Sequence, residues 1–185
     1  MPRYVAFLRA INVGGRVVTM EVLRGHFGGA GFTGVETFIA SGNVIFDARA
    51  RPGPALETRI EGVLRDALGY EVPTFVRSLA DVVTAAERRV YPETDVAAAS
   101  ALLVGLMKRP LDAAGRTRLA GLNSDLHTFR SEGAELYWLC NVKQSESKLT
   151  PAQIERALGG PVTLRAISSV RKLVAKHCGD RKTDI

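Results

Sequence analysis

The chain contains few of the residues that cross-link small proteins or bind metals. Its 185 residues include two cysteines, three histidines and one tryptophan. Cys140 and Cys178 are too few for the disulfide framework of a small secreted domain, so we predict two free thiols. His26, His127 and His177 share no metal-ligand spacing with either cysteine, and the sequence therefore predicts neither a metal site nor a cofactor.

Long apolar runs are also absent. No stretch approaches the roughly 20 apolar residues that cross a bilayer, and the first residues lack the basic start and apolar run of an export signal. We therefore predict no membrane partner and a cytoplasmic location. Hydrophobic residues make up 46% of the chain and charged residues 24%, a composition typical of globular proteins that fold around a core without covalent staples.

The excess of basic residues permits two interpretations. Lys and Arg number 25 against 19 Asp and Glu, which gives a formal net charge of +6. Clustered basic side chains gain affinity for polyanions by releasing phosphate counterions, so a nucleic-acid partner fits this charge. The alternative is a dispersed basic surface without such a partner, because arginine in excess over lysine, with abundant Ala and Gly, is what a GC-rich genome produces.

The order of apolar patterns predicts a repeated fold. In the first part of the chain the strand patterns lie at 3–9, 34–39, 43–47 and 72–77. Helical spacing of apolar residues appears after Thr19, a predicted N-cap, and again over 56–67. The resulting order, βαββαβ, is the ferredoxin-like pattern, and the same order returns over 101–167 without sequence identity between the halves.

The sequence therefore predicts an α+β fold of two tandem ferredoxin-like βαββαβ units with antiparallel sheets, joined by a helix. We place the first unit at 1–77 and the second, with a last helix, at 100–177. The segment 78–99 is predicted to hold the connecting helix and, over 91–98, a linker. Residues 178–185 are predicted to form a flexible tail.

Two polar turns follow two apolar strands in the first unit. In a βαββαβ sheet the end of the first strand, the start of the first helix and the hairpin between the next two strands lie at one edge. We expect a small anionic ligand, bearing phosphate or carboxylate, to bind there, because helix N-termini and glycine-rich turns present free N–H groups. The predicted ligand-binding residues are Arg9, Asn12, Gly14, Gly15, Ser41 and Asn43. In the competing interpretation the glycines only turn the chain and the asparagines only satisfy loop backbone.

A further polar segment precedes a helix in the second unit. Thr150 and Gln153 have capping-box spacing, and Pro151 suits the first helical position. Lys148 is the residue of this segment that does not favour a helix start, because a cation near a helix N-terminus opposes the helix dipole. We therefore predict that Lys148 contributes to anion binding.

No motif assigns a reaction. The phosphate-loop pattern, the dinucleotide-binding pattern and the nucleophile elbow are all absent, so the sequence leaves open whether the protein is an enzyme. Two alternatives to a small-molecule site stay open. One is a nucleic-acid-binding module that uses the basic face of the last helix, with Arg171, Lys172 and Lys176. The other is a structural or oligomerising protein whose polar turns are only turns.

Four segments resemble the bacterial family catalogued as domain of unknown function 1697. They are Leu8-Arg-Ala-Ile-Asn-Val-Gly-Gly15, Gly31-Phe32, Thr37-Phe-Ile-Ala-Ser-Gly-Asn-Val-Ile-Phe46 and Ser147-Lys-Leu149. The resemblance runs nearly end to end and implies the tandem ferredoxin-like fold, with no established activity. The chain departs from the family pattern at Thr163-Leu-Arg165-Ala-Ile-Ser, where the family has Thr-x-Arg-Asn-Trp-Asn. It also has Leu139-Cys-Asn-Val where a segment like Tyr-Pro-x-Gly is expected.

Overall fold

The structure is a computed structural model that describes residues 1–12, 14–39, 42–143 and 146–178. Ser41 and residues 179–185 of the predicted tail lie outside this part of the chain. The described residues form eight strands and seven helices. The first elements, in chain order, are β1 (Arg3–Leu8), α1 (Met20–Gly29), β2 (Thr33–Phe38), β3 (Asn43–Asp47), α2 (Pro54–Leu68), β4 (Thr74–Ser78) and α3 (Leu79–Glu87). They are followed by α4 (Glu93–Ala98), β5 (Ala101–Met107), α5 (Ala113–Ala120), β6 (His127–Glu132), β7 (Glu135–Cys140), α6 (Pro151–Leu158), β8 (Val162–Ala166) and α7 (Ile167–Cys178).

The strands form two four-stranded antiparallel sheets with the same topology. Their orders are β2-β3-β1-β4 and β6-β7-β5-β8. This confirms the predicted α+β class with two tandem ferredoxin-like units. The chain divides into a first unit, Met1–Val83, and a second unit, Thr84–Ile185. The division falls within α3, inside the segment 78–99 that the sequence prediction assigns to neither unit.

The segment 91–98 contains the short helix α4, which our prediction of a linker misses. Pro92 occupies its N-cap position, and Glu93 and Asp95 lie in its first turn. Acidic side chains there interact favourably with the helix dipole, and the alanines that follow are strong helix formers. The sequence prediction treats Pro92 only as the stop of the preceding helix, although a proline also suits a helix start.

The core of the first unit lies between its sheet and the helices α1 and α2. Tyr4, Ala6 and Leu8 alternate along β1 and pack with residues of both helices, including Phe27 and Leu64. This period of two is the expected pattern of a strand that directs alternate side chains to one face. The core therefore fixes where β1 ends and where the following loop begins.

Two carboxylates of α2 bind the backbone of the edge strand β4. Glu61 accepts a hydrogen bond from the N–H of Thr74 at 2.8 Å, and Glu57 accepts one from the N–H of Val76 at 2.9 Å. Glutamates four residues apart lie on one helix face, and N–H groups two residues apart lie on one side of a strand. The pairing satisfies backbone donors that an open sheet edge would offer to another strand.

Two buried tyrosines tie the segment before β5 to the second sheet. The Tyr91 hydroxyl lies 2.8 Å from the carbonyl oxygen of Thr128 and 2.9 Å from that of Tyr137. The Tyr137 hydroxyl donates to the carbonyl of Ala85 at 3.0 Å. Burial raises the pKa of Tyr91 and of Tyr137 to about 12. Both therefore remain neutral hydrogen-bond donors at physiological pH.

The core of the second unit lies on the face of its sheet that α5 and α6 cover. Phe129 and Trp138 stack with ring centroids 5.3 Å apart, and Leu119 and Ile154 pack in the same cluster. No helix in the part of the chain that the structure describes is long and apolar enough to cross a bilayer.

Candidate functional site

The loop between β1 and α1, residues 9–19, begins at the centre of the first sheet. The N–H of Leu8 donates to the carbonyl of Gly42 at 2.8 Å, and the N–H of Arg9 donates to the carbonyl of Pro73 at 2.9 Å. Phe7 is paired with Asn43, the first residue of β3. Arg9 and Asn43 therefore lie at one end of the sheet, next to the β2–β3 turn.

Three of the described residues of the β1–α1 loop have a left-handed backbone conformation. The φ angles are +56° at Ala10, +63° at Gly14 and +82° at Gly15. Apart from the chain neighbours, no atom of the described residues lies within 4 Å of the position that a Cβ would take at Gly14 or Gly15. Glycine is needed at these two positions for the turn itself, and the space beside them is open.

The two predicted asparagines hold loop backbone. The Asn12 Oδ1 atom accepts a hydrogen bond from the N–H of Val18 at 2.7 Å, which closes the β1–α1 loop. The Asn43 amide is buried, and its Nδ2 donates to the carbonyl of Phe38 at 3.1 Å across the β2–β3 turn. Both contacts are those of the competing interpretation, so these side chains act here as positioning groups.

A tyrosine that the sequence prediction misses braces the same loop. The Tyr70 hydroxyl donates to the carbonyl of Ile11 at 3.3 Å. Its ring also carries the Arg16 guanidinium, whose central carbon lies 4.1 Å from the ring centroid. This cation–π contact orients Arg16 on one side of the paired glycines. No local pattern indicates the contact, because Tyr70 follows α2 and reaches the loop only in the folded sheet.

The N-terminus of α1 contributes less to an anion site than the sequence suggests. The Thr19 hydroxyl already accepts a hydrogen bond from the N–H of Val22 at 3.2 Å, which confirms Thr19 as the N-cap. Glu21 adds a carboxylate to the first turn. A side-chain carboxylate there interacts with the same partial positive charge that would attract a ligand. The positively charged side chains of the β1–α1 loop itself are Arg9 and Arg16.

Two apolar side chains, one in the β1–α1 loop and one just after β2, are exposed. Val17 exposes 84% of its surface and Ile39, which follows β2, exposes 48%. Ile39 also has a left-handed φ of +50°, which is strained for a β-branched residue. Exposed apolar groups next to cations and glycine backbone are a combination that small-molecule sites use.

Lys148 belongs to the second unit, where it is exposed just before α6. The predicted capping box of that helix is confirmed, with Thr150 accepting from the N–H of Gln153 and Gln153 accepting from that of Thr150. The role of Lys148 in anion binding stays a prediction.

A polar cluster around His127, which sequence spacing does not reveal, is buried in the second unit. The His127 Nδ1 atom lies 3.3 Å from the indole Nε1 of Trp138 and 3.6 Å from Cys140 Sγ. The His127 Nε2 atom lies 3.1 Å from the Ser147 hydroxyl, which also accepts the N–H of Leu149 at 3.1 Å.

The indole of Trp138 decides the tautomer of His127. An indole N–H is only a donor, so Nδ1 must accept and the imidazole proton must reside on Nε2. Ser147 then accepts from Nε2. In a serine nucleophile the imidazole nitrogen that faces the hydroxyl must instead be free to take its proton. This cluster therefore positions the segment before α6 rather than activating Ser147.

Acid should destabilise the folded chain through His127. Burial lowers the pKa of His127 below its ordinary value of 6.5. As the pH falls below 6.5, the unfolded chain binds the proton before the folded chain does, so the free energy of unfolding decreases. Urea denaturation at pH 7.5 and 5.5 should therefore show a smaller pH-dependent loss for His127→Gln than for wild type.

An equal pH dependence in wild type and His127→Gln would contradict the assigned role.

The two cysteines and the candidate metal ligands have the following arrangement among the described residues. Cys140 is buried and Cys178 is partly buried, and both are free thiols, as predicted. Among the described residues no group of three or more His, Cys, Asp and Glu side chains is arranged to hold a metal ion.

Comparisons with known proteins support the fold and the family. The structure of the conserved bacterial protein SP0830 from Streptococcus pneumoniae superposes with a TM-score of 0.71 at 22% sequence identity, covering 95% of this chain and 98% of that one. At this identity the likeness shows the fold. A search of curated proteins gives no match. The family model described as "Protein of unknown function (DUF1697)" matches residues 1–137. The chain therefore belongs to this family, in agreement with the resemblance of its motifs.

Proposed function

We propose that the protein binds a small organic anion, bearing a phosphate or carboxylate group, at the β1–α1 loop. The observation that carries the proposal is that two arginines flank paired glycines whose backbone borders open space. Arg9 follows β1 directly, and Arg16 follows Gly15. No reaction is part of the proposal.

The chemistry of the loop suits an anion in two ways. The guanidinium of Arg9 is a planar, permanently charged group that contacts carboxylate or phosphate through two parallel hydrogen bonds. Consecutive N–H groups in turns with left-handed residues form concave anion-binding backbone, and Gly14 and Gly15 provide such a turn.

The loop is held in place before any ligand arrives. Asn12 closes it through Val18, and Tyr70 fixes Ile11 and stacks on Arg16. A preorganised loop loses little conformational entropy on binding, which favours affinity for a small molecule.

The nucleic-acid alternative depends on the basic face of α7. One of its three basic residues, Arg171, donates from Nε to the carbonyl of Ala86 at 3.1 Å, so this side chain is partly used to hold the helix. We therefore prefer the loop site. Nucleic-acid affinity would fall steeply between low and moderate salt, whereas binding of one small anion would fall modestly.

Replacing Arg9 with methionine tests the proposal. The apolar stem is retained, so we expect the melting temperature to stay within a few degrees of wild type. The thermal stabilisation by phosphate-bearing metabolites should be smaller in this variant than in wild type, because ligand stabilisation follows RT ln(1 + [L]/Kd) and a weakened site contributes less to it. A thermal-shift screen of both proteins against phosphorylated metabolites and their unphosphorylated counterparts measures this.

Arg51→Met is the matched control, since Arg51 is exposed in the loop before α2, and it should respond to ligands as wild type does. Absence of stabilisation in wild type, or equal stabilisation of wild type and Arg9→Met, would refute the proposal.

A further inference from the structure

The second unit contains a basic cavity at the position that corresponds to the β1–α1 loop of the first. The cavity measures about 620 Å³ and is lined by residues after β5, on α5 and around the end of α6. It shares no residue with the first-unit loop, so it does not depend on the proposed function.

 A separate cavity of the second unit, with a volume of about 930 Å³, lies beside α4 and α7 and is not the basic cavity.

The two units share the backbone features that frame this position. Each first strand is followed at once by a basic residue, Arg9 after β1 and Lys108 after β5. Each last strand begins after a proline, Pro73 or Pro161. The helices α2 and α6 each end at a left-handed glycine, with φ of +78° at Gly69 and +70° at Gly159. The correspondence is one of structure, since the halves share no sequence identity.

The charge of the cavity is positive. Its lining includes Lys108, Arg109 and Arg118 from two different elements, and a single acidic residue, Asp112. The Asp112 carboxylate caps α5, where its Oδ1 accepts from the N–H of Gly115 at 2.6 Å. Three cations against one carboxylate that already has a backbone partner favour an anion with more than one charge.

Arg118 is held in the wall of the cavity. Its Nε donates to the carbonyl of Ala157 at 3.0 Å. A Cβ on Gly159 would lie 3.4 Å from Arg118 Nη2, which places the guanidinium against the end of α6. An arginine fixed through Nε keeps its remaining N–H groups in one plane, which suits contact with phosphate oxygens.

The rest of the lining is apolar and fits an organic group. Met107, Leu111 and Leu158 line the cavity and are buried. Its volume of about 620 Å³ lies within the roughly 300–1,000 Å³ of small-molecule sites. A phosphate monoester has a charge of about −1.5 to −2 at pH 7 and carries an organic part that such a floor can contact.

We propose that this cavity is a second binding site, specific for small phosphate monoesters. Lys108, Arg109 and Arg118 bind the phosphate group, and Met107, Leu111 and Leu158 contact the organic group. The backbone at Gly159 and Gly160 borders the bound ester.

A residue-resolved titration of the full chain tests the proposal. In ¹H–¹⁵N NMR spectra, ribose 5-phosphate should cause saturable shifts of the Gly159 and Gly160 amide signals, and ribose at the same concentration should not. The double variant Lys108→Gln/Arg109→Gln should bind at least tenfold more weakly, because it loses two charge-assisted contacts. Arg156→Gln, which removes an exposed charge of α6 outside the cavity lining, should bind as wild type does.

Three results would overturn the proposal: no saturable shift at Gly159 or Gly160 with ribose 5-phosphate or glycerol 3-phosphate, equal shifts with ribose, or unchanged affinity in the double variant. If the double variant does not give the dispersed spectrum of a folded chain, Arg109→Gln alone replaces it, with a measurable loss of affinity expected. The Gly14 and Gly15 signals in the same spectra report on the first-unit loop, so the two sites succeed or fail separately.

Discussion

Replacing Gly42 with alanine should destabilise the first unit by about 2–5 kcal/mol. A left-handed backbone costs an L-residue roughly 1–2 kcal/mol, and overpacking a buried position typically costs about 1–3 kcal/mol. Gly42 has a φ of +75°, and a Cβ there would lie 2.7 Å from Ile11 Cγ2 and 3.2 Å from the backbone oxygen of Leu8. Urea denaturation followed by far-UV circular dichroism measures the loss.

Gly14→Ala is the control that separates backbone strain from crowding. Gly14 also has a positive φ, of +63°, but an added Cβ would meet no atom within 4 Å. We expect a loss of about 1–2 kcal/mol, from strain alone. Equal losses for the two variants would show that crowding at Gly42 is not what requires glycine there.

The contrast between these glycines bears on the candidate site. Gly42 is required by the packing of the β2–β3 turn against β1, so its presence needs no ligand. Gly14 and Gly15 border open space and face no such packing constraint. Of the described residues that the sequence predicts for ligand binding, Gly14 and Gly15 therefore border open space, whereas Asn12 and Asn43 hold loop backbone.

The fold was predictable because its signals are local. The strand at 43–47 has the predicted bounds, and α6 of the second unit begins at Pro151, as predicted. The first is a run of buried apolar residues, and the second begins with a capping box. The α4 helix was missed because six residues after a proline carry too little periodicity to identify a helix.

The contacts of the candidate site were less predictable because they join distant parts of the chain. The topology of a βαββαβ unit brings Arg9 and Asn43 to one end of the sheet, and the sequence prediction uses that rule. No such rule places Tyr70 under Arg16, or His127 between Trp138 and Ser147. These contacts depend on side-chain directions that only the packed sheet determines.

Replacing Phe46 with alanine should cost about 3–5 kcal/mol of stability, the usual range for a truncated core phenylalanine. Phe46 is fully buried in β3. Its ring centroid lies 4.8 Å from that of Phe32, 5.4 Å from that of Phe27 and 5.8 Å from that of Tyr4. At this chain length each kcal/mol shifts the melting temperature by roughly 2–4 °C, so thermal unfolding followed by circular dichroism resolves the effect.

Phe38→Ala is the matched control, because Phe38 is only half-buried in β2 and its truncation should cost less. An equal cost at the two positions would contradict the central place of Phe46 in the core.

Phe46→Leu retains much of the side-chain volume and should lower the melting temperature while keeping the stabilisation by phosphate-bearing metabolites, since Arg9 and the glycines are unchanged. Arg9→Met should show the reverse, with a nearly unchanged melting temperature and a reduced stabilisation by these metabolites. These opposite effects of the two variants are expected if the rings packed around Phe46 support the sheet and the β1–α1 loop binds the anion. Loss of ligand stabilisation in both variants, in proportion to their loss of stability, would instead mean that Arg9 acts through the fold.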